Sequence, residues 1–329
     1  MMESMVNKNS STNTPKVSVA IGTYNHEKFI AATLKSVLSQ ETNFSFEIIV
    51  GDDYSTDFTR AIIKGFVAQF PEKIIPLFYD GKVGGNENYI NIYDACKGEY
   101  IAHLDGDDLM LPGKLQKQIN FLDTHPECAI SGHSMNVINS AGESRPFKTN
   151  PSQMYDLDYL VKNGCSFVHS SKVFRKNAIP PEGMDCSASN VGDFLWHIQN
   201  AQYGKVGYLG EVLGTYRKHT QGNSFRNGSR RDHIIGVFKD LMYSIDYAEG
   251  HGASKEACEQ GRSRVYFQCA VLFLRKKELD LFKMYMEGAK NYARLSVKGR
   301  VIWSLRKTPK ILYWLTVPYY FLLSVVFYR

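Results

Sequence analysis

The chain carries six cysteines, Cys96, Cys128, Cys165, Cys186, Cys258 and Cys269, but no two of them stand at C-x-x-C spacing. That spacing is the usual mark of zinc sites and dithiol redox centres. Both are therefore set aside, and free thiols in a reducing compartment are expected. A G-x-G-x-x-G fingerprint is also missing. The glycine-rich stretch is Gly81-Lys82-Val83-Gly84-Gly85-Asn86-Glu87-Asn88, and it follows the third strand pattern, not the first. This excludes a dinucleotide oxidoreductase. Residues 1–14, rich in Ser, Asn and Thr, lack the apolar core of a secretory signal, so a loose tail and a cytoplasmic body are expected.

Charge is missing in two informative places. From Arg294 onward there are seven Lys and Arg residues and no acid, which leaves residues 1–293 at −1, with 32 basic against 33 acidic side chains. A near-neutral body argues against nucleic acid as a partner. Within the basic tail, the eighteen residues Ile311 to Tyr328 carry no charge. That is the low end of what crosses a bilayer as a helix. Arg306, Lys307 and Lys310 precede it, Arg329 follows, and Pro318 would kink it. Segment 306–329 is expected to associate with the cytoplasmic face of the membrane, either spanning once or lying in the interface. Packing against the body or a partner subunit is the alternative.

What is present is a core-forming composition, 43% hydrophobic and 22% charged, patterned as alternating strands and helices. Val17–Ile21, Glu47–Val50, Ile74–Tyr79 and Tyr100–Leu104 have strand patterns, with Pro76 marking the third as an edge. Ile30, Leu34, Val37 and Leu38, then residues Phe58 to Phe70, then Asn88 to Cys96, have helix patterns. This order predicts parallel strands with crossover helices. Each strand runs into a polar cluster: Gly22-Thr23-Tyr24-Asn25, Gly51-Asp52-Asp53, Asp80-Gly81 and Asp105-Gly106-Asp107-Asp108. Ligands of open parallel sheets bind at the carboxyl ends of the strands, so the four clusters should converge on one cleft. A turn or a helix cap explains one carboxylate, and capping of the next helix accounts for Asp52-Asp53 as well as ligand contact does. Three carboxylates in four positions raise one another's pKa unless a cation is near, and a divalent ion carrying a diphosphate suits them.

These segments resemble glycosyltransferase family 2, of the GT-A fold, from about Lys16 to Ser224. The resemblance lies in VSVAIGTYNHEKFI, FEIIVGDDYSTD and GEYIAHLDGDDLMLPGKL, and further on in FVHSSKVFRKNAI and VGDFLWHIQNAQYGKVGYLGEVLGTYRKHTQGNS. It implies an α/β fold, Rossmann-like, with a mostly parallel sheet flanked by helices, and inverting transfer of a sugar from a nucleotide donor, most simply a UDP-sugar, to a hydroxyl. Asp107 would ligate Mn or Mg, and His219 would complete the metal or phosphate site with Arg217 beside it. Asp105 would contact the ribose or donor sugar. Thr23, Tyr24 and Glu27 would line the base and ribose pocket, and Asp52 or Asp53 would bond the base. Asp193 would be the catalytic base, although Gly192-Asp193 stands where relatives commonly have Glu-Asp. His169 would face the acceptor.

The expected organisation is a tail (1–15), a GT-A domain (16–225) with a nucleotide-binding half (16–112) and an acceptor half (113–225), a helical extension (226–305) and the membrane-associating segment (306–329). Membrane attachment would suit a lipid-linked saccharide acceptor in surface polysaccharide assembly. A silent sugar-nucleotide-binding scaffold subunit is the competing reading. A nucleotidyltransferase is disfavoured, because the loop after the first strand carries an acid and no Arg.

Overall fold

The computed structural model describes residues 14–147, 150–190, 192–219, 231–295 and 297–304. The first three strands are β1 (Val17–Thr23), β2 (Phe46–Asp52) and β3 (Ile74–Phe78), and β4 (Tyr100–Asp105) follows. All four pair in parallel in the order β3-β2-β1-β4. β1 and β2 are buried along their whole length, which is why they read as near-continuous apolar runs. β3 forms the edge of the sheet, where the missing N–H of Pro76 costs no ladder bond.

Beyond β4 the sheet becomes mixed. β5 (Leu109–Met110), β6 (Cys128–Ile138), β7 (Ser144–Phe147), β8 (Gln153–Tyr155), β9 (Val173–Arg175) and β10 (Lys205–Arg217) complete the order β4-β9-β6-β10-β5, with β7 on β6 and β8 on β10. β9 runs antiparallel to both β4 and β6, while β6 and β10 are parallel. The expected mostly parallel sheet is present, with these antiparallel strands in the half for which no strand was anticipated.

Two apolar layers enclose the sheet. On one face Ile30 and Leu34 of α1 (Ile30–Leu38), Ile63 of α2 (Thr59–Gln69) and Leu115 and Ile119 of α4 (Lys114–Thr124) meet Tyr100, Ala102 and Leu104. On the other, Ile92 and Tyr93 of α3 (Gly85–Ala95) and Leu195 and Trp196 of α6 (Gly192–Ala201) meet Ile101. Strand alternation puts His103 and Asp105 on the Ile101 face. α3 starts three residues before the expected Asn88, because Asp53 Oδ1 accepts the Val83 and Gly84 N–H groups at its N-terminus.

Between β8 and β9 lies α5 (Leu157–Asn163), and after β10 come α7 (Arg231–Gly250), α8 (Lys255–Arg275), α9 (Leu279–Tyr292) and α10 (Val297–Ser304). Val237, Leu241 and Ile245 of α7, and Cys258 and Val265 of α8, share the core of α3 and α6. The start of the helical extension is thus continuous with the body, while α9 builds a second core with the end of α8. Among the described residues no helix is long and apolar enough to cross a membrane. Segment 306–329 lies outside the described residues.

Candidate active site

The site forms where β1, β2 and β4 end. The loop after β1 is stitched to the loop after β2. Asn25 sits at φ 55°, a left-handed conformation that Asn tolerates. Its N–H donates to Ser55 Oγ (2.9 Å), and its Oδ1 accepts from Thr56 N (2.8 Å). His26 N donates to Thr59 Oγ1 (2.8 Å), and Glu27 Oε2 accepts from Phe58 N (3.1 Å). Asp53 N donates to Thr23 O, and Gly106 N to Gly22 O. Three of the expected polar clusters therefore meet at one edge, and Asp53 ties the residues after the third to them.

These bonds also reveal how the loop acids are used. Asp52 is fully buried and receives Arg60 Nε at 2.8 Å, together with the Ser55 hydroxyl. Asp53 caps α3, and Glu27 caps the approach to α2. All three carboxylates are used in holding these loops together. The half-buried Tyr24 ring lies in the same loop with Lys82 Nζ over it, 3.7 Å from its centre.

The three aspartates after β4 have three different environments. Asp105 Oδ1 accepts the Tyr89 hydroxyl at 2.8 Å, and Oδ2 accepts Ser170 Oγ at 2.9 Å. Burial pushes its carboxyl up, but hydrogen bonding and charge at His103, Tyr89 and Ser170 outweigh this and hold it below the usual range. Burial lowers His103 itself to about 4, so at neutral pH it is an uncharged imidazole. The hydroxyls of Tyr89 and Ser170 are then the groups that stabilise ionised Asp105.

Asp108 turns inward. Its Oδ1 accepts Arg217 N at 2.9 Å, and its Oδ2 is buried with no partner among the described residues. Burial, then the charges of Asp107 and Asp105, raise its pKa well above the ordinary value. Asp108 thus serves to dock the end of β10.

That docking carries His219 to Asp107. His219 Nε2 lies 2.8 Å from Asp107 Oδ2, across 112 residues of sequence. His26 Nε2 stands 4.0 Å from the same oxygen, and ligand atoms of His26, Asp107 and His219 all fall within 4.8 Å of one another. A carboxylate and two imidazoles suit a first-row divalent ion. The Arg217 guanidinium lies over Phe29, 5.6 Å from its centre, with Nε unpartnered among the described residues. The sequence reading passed over His26. Its only signal was an imidazole four residues beyond a buried strand-end glycine.

Asp193 lies in the first turn of α6. A packing chain links it to the aspartates: Tyr89, bonded to Asp105, lies edge-on to Trp196 of the same helix. Gly192 faces the Asn86 side chain. Asp193 lies near enough to buried Lys172 to raise its pKa, against a larger desolvation that lowers it to about 7. His169 Nδ1 is 2.9 Å from His197 Nε2, and its ring centre is 3.8 Å from that of His103.

Comparison with known proteins agrees with this architecture. The profile of Glycosyl transferase family 2 matches residues 18–180. An uncharacterised glycosyltransferase of Haemophilus influenzae is 33% identical over 251 residues, 72% of this chain and 96% of that protein. An uncharacterised protein of Mycobacterium tuberculosis is 30% identical over 207 residues, 63% of this chain. The chain spans only 60% of the length of that relative and of the other mycobacterial proteins matched with it. The Staphylococcus aureus TarS fragment 1–349, in complex with UDP-GlcNAc, superposes with a TM-score of 0.64 at 17% identity, over 91% of this chain and 89% of that one. The shared fold, the profile match and the near-complete coverage of the Haemophilus relative place the chain in glycosyltransferase family 2.

Proposed function

We propose that the protein transfers a sugar, with inversion, from a nucleoside diphosphate donor to a hydroxyl of a saccharide acceptor, in the assembly of a surface polysaccharide or glycoconjugate. The observation that carries this is the 2.8 Å contact of Asp107 with His219, beside an ionised Asp105 at the strand-end cleft. Asp107 and His219 would hold Mn or Mg, which when bound supplies Lewis-acid neutralisation of the leaving diphosphate. Arg217, unpartnered at Nε, adds positive charge for the phosphates. Asp105, fixed by Tyr89 and Ser170, would accept a hydroxyl of the donor. Tyr24 and Thr23 would line the base and ribose pocket. Among the donors a UDP-sugar is favoured, since TarS, which shares the fold, was captured with UDP-GlcNAc.

Asp193 would take the proton of the attacking hydroxyl. Attack from the face opposite the leaving group, with one carboxylate taking the proton, would invert the anomeric carbon. His169, buried on one side by His103 and His197, lines the same region. The uncharged run Ile311–Tyr328 and its basic flanks support attachment at the cytoplasmic face and a lipid-linked acceptor.

A thermal-shift series with UDP, dTDP, GDP and CMP, with and without Mn, tests the donor half. One diphosphate should raise the melting temperature in the presence of Mn, and Asp107→Asn should abolish the rise. Asp193→Asn should keep the shift and lose at least about a hundredfold in turnover. Equal turnover in Asp193→Asn and the parent would remove Asp193 as the base. Sedimentation of the full chain with vesicles, compared with a chain ending at residue 305, tests the membrane segment. Equal partition of the two would refute it.

A further inference from the structure

We propose that His26 is a third protein ligand of the divalent ion at Asp107 and His219, and that it makes the site selective for a transition metal over magnesium. This deepens the metal-dependent reading above and rests on it. Ligand atoms bound at about 2.1 Å to one ion stand about 3.0 Å apart when adjacent in an octahedron and about 3.4 Å apart in a tetrahedron. Asp107 Oδ2 and His219 Nε2, at 2.8 Å, already have that spacing. His26 Nε2, at 4.0 Å from Asp107, needs to close by roughly an ångström, a side-chain adjustment on the scale of the bond lengths themselves.

The loop presents His26 in the correct sense. Its Nδ1 is engaged with Thr23 Oγ1 at 3.1 Å, which leaves Nε2 facing Asp107. Metal-binding histidines divide their nitrogens in this way, one on the ion and the other held by an outer hydrogen bond. The backbone of His26 is pinned to Thr59, and the left-handed Asn25 turns the chain just before it. Phe29 packs beside both imidazoles, whose ring centres are 6.2 Å apart, with its own ring centre 4.5 Å from that of His219 and 6.2 Å from that of His26. Both rings are therefore held against the same side of the cleft before any ion arrives.

Two consequences follow from ligand chemistry. Magnesium prefers an all-oxygen octahedron, whereas imidazole suits Mn, Co, Ni and Zn, so two nitrogens in three ligands disfavour magnesium. Three protein ligands also suffice to bind the ion without nucleotide, whereas a site of one or two protein ligands depends on the diphosphate.

The test uses the full chain without nucleotide. Co2+ is titrated and followed by its visible absorption, and Mn2+ by loss of the free-ion EPR signal. The parent should bind one ion, and Mg2+ should compete only at concentrations at least about tenfold above Mn2+. His26→Ala should weaken Mn2+ and Co2+ at least about tenfold while keeping the metal-free melting temperature. His26→Cys should add a near-ultraviolet thiolate-to-cobalt charge-transfer band that the parent lacks. Equal Mn2+ affinity in parent and His26→Ala, with no new band in His26→Cys, would overturn the assignment, as would magnesium binding as tightly as manganese. The UDP thermal shift on the same samples separates the two failures. If the shift needs Mn but ignores His26, only the ligand assignment falls. If no nucleotide shifts the parent, the transferase reading falls as well.

Discussion

Gly106 separates Asp105 from Asp107, and its replacement by alanine tests how tightly the site is built. An added Cβ would lie 2.7 Å from both Cβ and Oγ1 of Thr23 and 3.0 Å from Gly22 O. Carbon atoms pack at about 3.5 Å or more, so the space is short by roughly 0.8 Å. The neighbours cannot yield. Gly22 and Thr23 end the central strand, paired with β2 on one side and, at Gly22, with β4 on the other. Thr23 is buried, and its branched Cβ is stiff about χ1. The turn must therefore move outward and carry Asp105 and Asp107 with it, breaking the 2.9 Å bond from Gly106 N to Gly22 O. Overpacking of this kind costs about 1–3 kcal/mol of stability. A displacement approaching 1 Å at reacting groups costs on the order of a hundredfold in rate. Urea unfolding of Gly106→Ala should show a lower midpoint with an unchanged slope, and kcat/KM for the donor should fall by about two orders of magnitude. Parental stability together with parental kcat/KM would refute the argument that steric closure against β1 sets the position of the carboxylates.

Two further expectations concern buried polar groups. Tyr89→Phe removes the hydroxyl that donates to Asp105 Oδ1 and Leu104 O. A bond to a charged group is worth about 1.5–3 kcal/mol, and the lower end applies because the Asp105 side chain is 36% exposed. Asp105 is held below its unfolded pKa, so the stability it contributes is present above about pH 4 and is lost as the pH falls below that. The deficit of Tyr89→Phe should therefore be full at pH 7 and shrink below about pH 4; a deficit independent of pH would contradict the charge-assisted bond. Lys114 is fully buried, its Nζ has no partner among the described residues, and burial lowers its pKa from the ordinary 10.5 to about 7. Between those values the unfolded chain binds the extra proton, so stability rises with pH. Lys114→Met should flatten that rise in unfolding profiles from pH 7 to 10 without loss at pH 7, and parallel profiles for the two proteins would sink the idea.

Much of the fold was legible because it is written in local periodicity. The apolar runs of β1, β2 and β4 and the spacing of α1 and α2 reflect burial against one continuous sheet, and that pattern survives in the sequence without any partner being known. The antiparallel insertions β5 and β9 were not legible. Two or three residues long, they take their strand conformation from neighbours distant in the chain, and a segment that short has no period of its own. The extension after β10 looked like a connector because its helices are amphipathic. Only packing revealed that Val237, Leu241 and Ile245 complete the core beneath α3 and α6.

At the site the division follows hydrogen-bond supply. By itself the sequence singled out the aspartates after β4, while Asp193, Arg217 and His219 were proposed only through the resemblance to glycosyltransferase family 2. It also determined that four strand ends would point their polar residues to one edge, since parallel strands allow no other arrangement. Tertiary structure alone decided which carboxylates remain free to act. Asp52, Asp53 and Glu27 are engaged by Arg60 and by loop N–H groups, and Asp108 is turned inward against Arg217 N. It alone brought His26 to Asp107. A carboxylate's charge and reach depend on the donors that fold around it, and for this site those donors come from residues 3 to 112 positions away.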